Sequence, residues 1–292
     1  MLTKEEIKNN INTEWHLPLE SQKEFRYHLC TFILNISQKI GLSYENTSLA
    51  MLISNYFFTK NLYFNYNKLT MACSAVLLSS KHEASTNKFN DICKEYSIIH
   101  NKGVDPDFHK IREIIGKYEI LLYKQLNFNI LIEFPYDLIN AYSSILYPNN
   151  EQEMVNTSTK IANDSFFTYA NNIYKNYVVA LACLVIASRF LDIPSIIDEN
   201  FKNINNMKKI YKKNISEKEF ERALIQYENK YKLYRNVKEN GNNVMEEEDD
   251  YFEKLTECQK LYPGLEMDDL LDCVLMILEF YEDMNVEKTN EN

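Results

Sequence analysis

Hydrophobic residues recur at helical spacing along most of this chain. Four segments share apolar positions three or four residues apart, namely 21–41, 45–60, 88–98 and 107–126. The stretch from Asn67 to Glu83, NKLTMACSAVLLSSKHE, differs because nearly every position is small or apolar. A helix of this composition is buried on nearly all sides. We therefore predict an all-α domain packed around a central helix at 67–83, whose charged end reaches the surface.

The chain contains a second copy of this pattern. When the sequence is shifted by about 108 to 109 residues, Phe25 falls on Phe134, and Met71–Lys81 falls on Val179–Arg189 without a gap. Pro135 suits the first turn of a helix and opens the second copy. We predict four regions: an N-terminal arm at 1–20, a first domain at 21–132, a second domain at 133–284 and a polar tail at 285–292.

Two regions fall outside the repeat. The N-terminal arm is polar apart from a lone Trp15, and we expect the arm to pack through this ring. The second copy is interrupted at about 200–262 by a stretch rich in Asn, Lys and Glu. Within this insertion, an apolar stripe predicts a helix at 217–237, and polar composition predicts disorder at 238–250. A last helix is predicted at Met267–Glu282.

Composition narrows the classes of function. A formal net charge of −10 disfavours sequence-independent binding to nucleic acid. None of the six cysteines forms a C-x-x-C pair, which favours buried, reduced thiols over metal ligands or disulfides. No apolar run approaches the roughly 18 residues of a membrane span, and the N-terminus lacks a signal-peptide core. We therefore expect a nuclear or cytoplasmic protein without a direct nucleic-acid or membrane partner.

No motif of catalysis is evident. The sequence lacks a glycine-rich phosphate loop, G-x-S-x-G and H-E-x-x-H. The pattern Asp268-Asp269-x-x-Asp272 resembles the magnesium motif of helical prenyl-transferring enzymes, but a second, facing cluster is missing. Acidic residues in a first helical turn also favour the positive helix end. We expect no catalytic residue, cofactor or metal, and we favour a binding or regulatory protein over an enzyme.

Residues in both halves resemble the cyclin family, in particular the transcription-linked K, L, T and Q types. Arg26, in FRYHLC, stands at the family's structural first-helix arginine. Lys81, in LLSSKHEAS, matches the lysine that ends the third helix, and Glu119, in KYEILLYKQLNFNI, matches the glutamate of the fifth. Ala84 and Tyr123 depart from the family pattern nearby. The resemblance implies two tandem five-helix cyclin boxes, with the insertion in the second.

The resemblance also implies a non-catalytic regulatory subunit that binds and activates a cyclin-dependent kinase. In the family, the lysine and the glutamate pair with each other and hydrogen-bond the main chain of the kinase's mobile helix. His82 replaces a residue that is usually aromatic or apolar, which implies either a different choice of kinase or a contact that is sensitive to pH. A nuclear role in transcription or RNA processing is favoured over one in the cell cycle. Seven residues are expected at the kinase contact: Leu78, Lys81, His82, Glu119, Tyr123, Phe128 and Ile130.

A second class of protein shares the two-box fold. Scaffolds similar to general transcription factor IIB grip DNA through a basic surface and carry a zinc ribbon ahead of the boxes. Here the net charge is −10 and no cysteine precedes Cys30. The sequence therefore favours the kinase regulator, with the DNA-binding scaffold and, more weakly, a prenyl-type synthase as alternatives.

Overall fold

A computed structural model of the chain describes residues 2–82, 88–101, 107–127, 133–193 and 267–290. The described residues contain helices and no strand, which confirms the all-α prediction. A single 3₁₀ turn among them spans Tyr63–Asn65. The α-helices are α1 (Lys4–Lys8), α2 (Ile11–Glu14), α3 (Leu19–Lys39), α4 (Tyr44–Thr59), α5 (Lys68–His82), α6 (Phe89–Asn101), α7 (Phe108–Gln125), α8 (Tyr136–Leu146), α9 (Glu151–Ser165), α10 (Ala170–Ile173), α11 (Asn176–Phe190) and α12 (Met267–Asn290).

The chain divides into two compact units. The first unit holds Met1–Phe134 with Asn171–Ile173, and the second holds Pro135–Ala170 with Tyr174–Asn292. Five long helices, α3 to α7, lie in the first unit, and α8, α9, α11 and α12 lie in the described part of the second. The domain boundaries and the five-helix count of the second domain stay predictions. The insertion at about 200–262, with its helix at 217–237 and disorder at 238–250, lies outside the described residues.

The helix α5 is the central element of the first unit. It packs against α3, α4, α6 and α7, and its residues 69–80 are all buried. Small side chains such as Ala72, Ala75 and Ser79 allow this arrangement, because they let four helices approach one axis. The prediction of a buried central helix with an exposed charged end at Lys81 is confirmed.

The helix α11 is the corresponding element of the second unit. It has 15 residues, as α5 does, and both of its ends lie 108 positions beyond those of α5. Residues 177–188 are buried, and the helix packs against α8, α9 and α12. The closing helix α12 is fixed in this unit by Tyr281, whose hydroxyl donates to Asp164 Oδ2 of α9 at 2.8 Å.

Buried amides hold the N-terminal arm against the first unit. Asn12 is fully buried, and its side-chain nitrogen donates to the carbonyls of Phe58 at 2.9 Å and Asn61 at 3.2 Å. Its side-chain oxygen accepts from the backbone N–H of Tyr63 at 3.0 Å. Trp15 is instead 63% exposed. Its ring meets the Phe64 ring edge-on, with centroids 6.3 Å apart, so the expectation that the arm packs through Trp15 stays a prediction beside the buried contacts of Asn12.

The described cysteines are buried and none of them forms a disulfide with another, in agreement with the buried thiols that the sequence predicts. Burial raises the pKa of Cys30 to about 12, although the charge of Arg26 acts in the opposite direction. Arg26 is half-buried on α3, one turn before Cys30. Burial also raises the pKa of Cys73 and of Cys183. These thiols therefore belong to the core; Cys258 lies outside the described residues.

Candidate partner-docking face

The crossing of α5 and α7 brings Lys81 and Glu119 together. At its centre the buried Ser74 hydroxyl lies 2.8 Å from the Thr70 carbonyl in its own helix and 2.9 Å from the Ile115 carbonyl of α7. This contact holds α7 against α5 about two turns before the end of α5. Beyond it, Lys81 Nζ lies 2.5 Å from Glu119 Oε1. The structure thus joins the two residues that the sequence placed at the kinase contact.

The two partners of this ion pair differ in exposure. The Lys81 side chain is 58% exposed, and the Glu119 side chain is 15% exposed. An ammonium group has three N–H donors, and one carboxylate oxygen engages only one of them well. Lys81 can therefore donate to an acceptor outside the chain while Glu119 holds it in place. The pair presents positive charge outward from a partly covered carboxylate.

The helix α7 has two distinct faces. Ile111, Ile115 and Leu122 are buried against the first unit. Residues spaced i, i+3, i+4 and i+7 share another side of a helix. Four such residues form what we call the α7 stripe: Gly116, Glu119, Ile120 and Tyr123. Ile120 is 56% exposed on this stripe and Tyr123 is partly exposed. The α7 stripe is therefore an accessible surface beside Lys81.

The other predicted contact residues differ in their accessibility. Leu78 is only 4% exposed, so in the free chain it supports the α5 surface from within and offers little area to a partner. Tyr123 lies on the α7 stripe. His82 is the last residue of α5, and its side chain lies outside the described part of the structure. Phe128 and Ile130 also lie outside it. The contact roles of these residues stay predictions.

Two residues of the α7 stripe, Gly116 and Ile120, were not identified from the sequence. Apolar periodicity identifies the side of a helix that faces the core, and Ile120 lies off that period. The available signal was its position directly after Glu119, about 100° around the helix. A single exposed isoleucine needs no explanation on its own. Beside Glu119 and Tyr123, however, Ile120 widens the candidate face.

A second ion pair has nearly the same geometry. Lys39 Nζ on α3 lies 2.8 Å from Glu95 Oε2 on α6, and the two side chains are 51% and 17% exposed. Ion-pair geometry alone therefore does not single out the crossing of α5 and α7. The sequence motifs around Lys81 and Glu119 do, because the cyclin resemblance rests on them. The Lys39–Glu95 pair instead provides a control matched in distance and exposure.

The acidic pattern of Asp268, Asp269 and Asp272 lies at the start of α12. Asp268 and Asp269 occupy the first turn, where carboxylates favour the positive end of the helix dipole. Within the described ranges, no group of three or more His, Cys, Asp or Glu residues is arranged to hold a metal ion. Among the described helices, none is both long enough and apolar enough to span a bilayer.

Comparison with known proteins finds no matching family model, but it finds curated relatives among the cyclins. Cyclin-L1 of Danio rerio is 27% identical over 153 residues, which cover 49% of this chain and 30% of that protein. Cyclin-L2 of Homo sapiens is 27% identical over 154 residues, covering 49% of this chain and 29% of that protein. The chain thus spans less than a third of the length of these relatives.

Two solved structures share the fold. A chain in the CAK complex from Chaetomium thermophilum bound to ATP-γ-S has a TM-score of 0.50 and 16% identity, with 91% of this chain and 73% of that chain covered. A chain in the yeast TFIIK complex of Kin28, Ccl1 and Tfb3 has a TM-score of 0.53 and 18% identity, with 72% and 94% covered. At these identities the likeness speaks for the fold. The chain is thus distantly related to cyclins L1 and L2, and chains of these two complexes share its fold.

Proposed function

We propose that this chain is the regulatory subunit of a cyclin-dependent kinase, which it binds through its first unit and activates. The observation that carries the proposal is the Lys81–Glu119 ion pair at the crossing of α5 and α7. The cyclin resemblance assigns the kinase contact to residues at these two positions. Both solved structures that share the fold are multi-protein complexes, which supports a role in assembly. The chain contributes no catalytic residue of its own.

Activation follows from differential binding. A subunit that binds the active arrangement of a kinase more tightly than the inactive one shifts the population toward the active state. The active arrangement requires the kinase's own Lys–Glu pair and an ordered activation loop. In this proposal, Lys81 donates to main-chain carbonyls of the kinase's mobile helix and Glu119 fixes the ammonium group. Ile120 and Tyr123 supply the adjoining apolar contact.

The proposed cellular role is control of transcription or RNA processing in the nucleus. The curated relatives are L-type cyclins, and the sequence resembles the transcription-linked types more than the cell-cycle types. The contact residues in this proposal come from α5 and α7 of the first unit.

The proposal is tested by co-expressing the full chain with each cyclin-dependent kinase of its source organism, one at a time. Complex formation and phosphate transfer to a Ser-Pro peptide are measured. Wild type is expected to bind and activate at least one kinase. The double variant Lys81→Ala with Glu119→Ala should lose at least about tenfold in affinity, or about 1.4 kcal/mol. The double variant Lys39→Ala with Glu95→Ala should bind as wild type does.

Three outcomes contradict the proposal in different ways. Failure of the wild-type chain to bind any of the kinases rejects the function itself. Equal losses in the two double variants assign the effect to general destabilisation instead of a docking face. A loss confined to the Lys39–Glu95 variant moves the docking face to α3 and α6. Affinity capture from source cells with mass spectrometry gives an independent identification of the kinase.

A further inference from the structure

Gly116 lies in the middle of α7, where the described part of the chain gives no reason for a glycine. It has no left-handed backbone angle, so another residue would fit its conformation. Apart from its chain neighbours and the backbone of its own helix, a Cβ atom built at this position would meet no atom of the described residues within 4 Å. Glycine is among the least favourable residues for a helix interior. Within the described ranges, neither backbone strain nor internal packing requires this helix-weakening residue.

The neighbours of Gly116 form an accessible face. It is the first residue of the α7 stripe, so Glu119 and Ile120 lie one turn away on the same side. Ile120 projects from this side with 56% of its area exposed. Gly116 is thus a gap in the surface next to a protruding apolar side chain. A gap beside a ridge at this spacing is the geometry that packed helices use, where a ridge enters a groove.

We propose that Gly116 is a notch that lets an α-helix of the partner kinase pack with its backbone close to α7, with Ile120 as the apolar anchor beside it. This inference rests on the proposed function and names the part of the docking face that sets how near the kinase helix comes. Charge supports a helix as the occupant. The exposed Lys81 ammonium lies beside the stripe with donors to spare, and the main-chain carbonyls at a helix end accept from such a cation.

The notch predicts opposite effects on stability and on binding. In the free chain, Gly116→Ala should raise the thermal midpoint by about 2–4 °C, because alanine favours the helix and meets no atom. In the complex, the same methyl group should weaken kinase affinity by about three- to tenfold. Gly116→Leu should weaken affinity by about 100-fold or more while the chain stays folded, since it fills the notch. A purely structural role for Gly116 would not separate the two readouts.

The experiment uses the full chain and the kinase that binds wild type in the co-expression series. Affinity is measured by surface plasmon resonance and stability by thermal unfolding of the free chain. Lys117→Leu is the control, because it adds an apolar side chain at the next, exposed position of α7 and should change affinity less than twofold. Wild-type affinity for Gly116→Leu overturns the notch while leaving the proposed function intact. A lowered midpoint for Gly116→Ala also overturns it. Absence of any kinase bound by wild type instead rejects the proposed function.

Discussion

Glu119 lies deeper in the protein than Lys81, although the two charged groups are in contact. The Nζ–Oε1 distance is 2.5 Å, and the side chains are 15% exposed for Glu119 and 58% for Lys81. The cyclin resemblance assigns both residues to the kinase contact and does not predict this difference in burial. Because the two side chains differ in exposure, the pair is oriented with its cation outward. Exchanging the two residues would reverse this orientation.

Exchanging the two charges should separate stability from binding. The variant Lys81→Glu with Glu119→Lys keeps an ion pair. The interaction free energy between its residues 81 and 119 in the free chain should therefore stay favourable by about 0.2–1 kcal/mol, as measured by a double-mutant cycle with urea unfolding. It puts a carboxylate on the outer side, which repels main-chain carbonyls. Kinase affinity should therefore fall at least about tenfold. Wild-type affinity in the exchanged variant would show that the orientation of the pair has no role in docking.

The two central helices allow a matched test of which unit carries the docking face. Ala72 in α5 and Ala180 in α11 are 108 positions apart and both are fully buried. A leucine at either position overpacks a filled core, which costs about 1–3 kcal/mol. Both variants should lower the urea midpoint similarly. Only Ala72→Leu should also reduce kinase activation, because α5 positions Lys81.

The exposed Ala141 of α8 supplies the control for this test. Ala141→Leu should change the free energy of unfolding by less than about 0.5 kcal/mol and leave activation unaltered. Assays must be run well below each variant's unfolding midpoint, so that loss of folded chain does not imitate loss of docking. Greater loss of activation in Ala180→Leu than in Ala72→Leu would move the kinase contact to the second unit.

Local sequence signals are sufficient to predict the five long helices of the first unit, α3 to α7, but not the short α1 and α2 of the arm. The prediction at 67–83 matches α5 at Lys68–His82, and that at 107–126 matches α7 at Phe108–Gln125. Composition explains the first case, since a run of small and apolar residues is compatible only with burial. A side-chain cap explains the start of the second, where Asp107 accepts from the Lys110 N–H at 3.1 Å.

Interactions between distant residues could not be predicted in this way. In the sequence, Asn12 is one polar residue of a polar arm. Its hydrogen-bond partners Phe58 and Tyr63, however, lie 46 and 51 residues away along the chain. The solvent exposure of individual side chains on a predicted helix could not be predicted either. Leu78 was expected at a contact and is buried, whereas Ile120 was not considered and is exposed. In each case tertiary packing decides, and a one-dimensional pattern does not contain it.

The buried amide of Asn12 should matter more to stability than the larger Trp15. Asn12→Ala leaves two carbonyls and one N–H without their partners in a buried site, which should cost about 2–4 kcal/mol. Trp15→Ala removes a ring that is 63% exposed and meets the Phe64 ring edge-on, so it should cost at most about 1 kcal/mol. Urea unfolding of the full chain measures both. A larger loss for Trp15→Ala than for Asn12→Ala would make the ring the main anchor of the arm.

Cys30 should make the protein less stable as the solution becomes alkaline. In the folded chain, burial raises the pKa of this thiol from 9.0 to about 12. Between these values the unfolded chain gives up the thiol proton while the folded chain keeps it. The stabilisation is therefore complete below about pH 9 and is lost as pH rises toward 12, by up to about 1.4 kcal/mol per pH unit.

Comparison with a variant isolates this thiol from the tyrosines and lysines that titrate in the same range. Cys30→Ala lacks the thiol, so its free energy of unfolding should fall less steeply with pH than that of wild type. The difference in free energy of unfolding between the two proteins should therefore narrow from pH 8.5 to 10.5. Ser37→Ala, at another fully buried position of α3, removes a hydroxyl that does not titrate in this pH range. The difference in free energy of unfolding between this variant and wild type should therefore stay constant. Parallel curves for wild type and Cys30→Ala would mean that the Cys30 thiol ionises in the folded chain as readily as in the unfolded one, which its burial makes unfavourable.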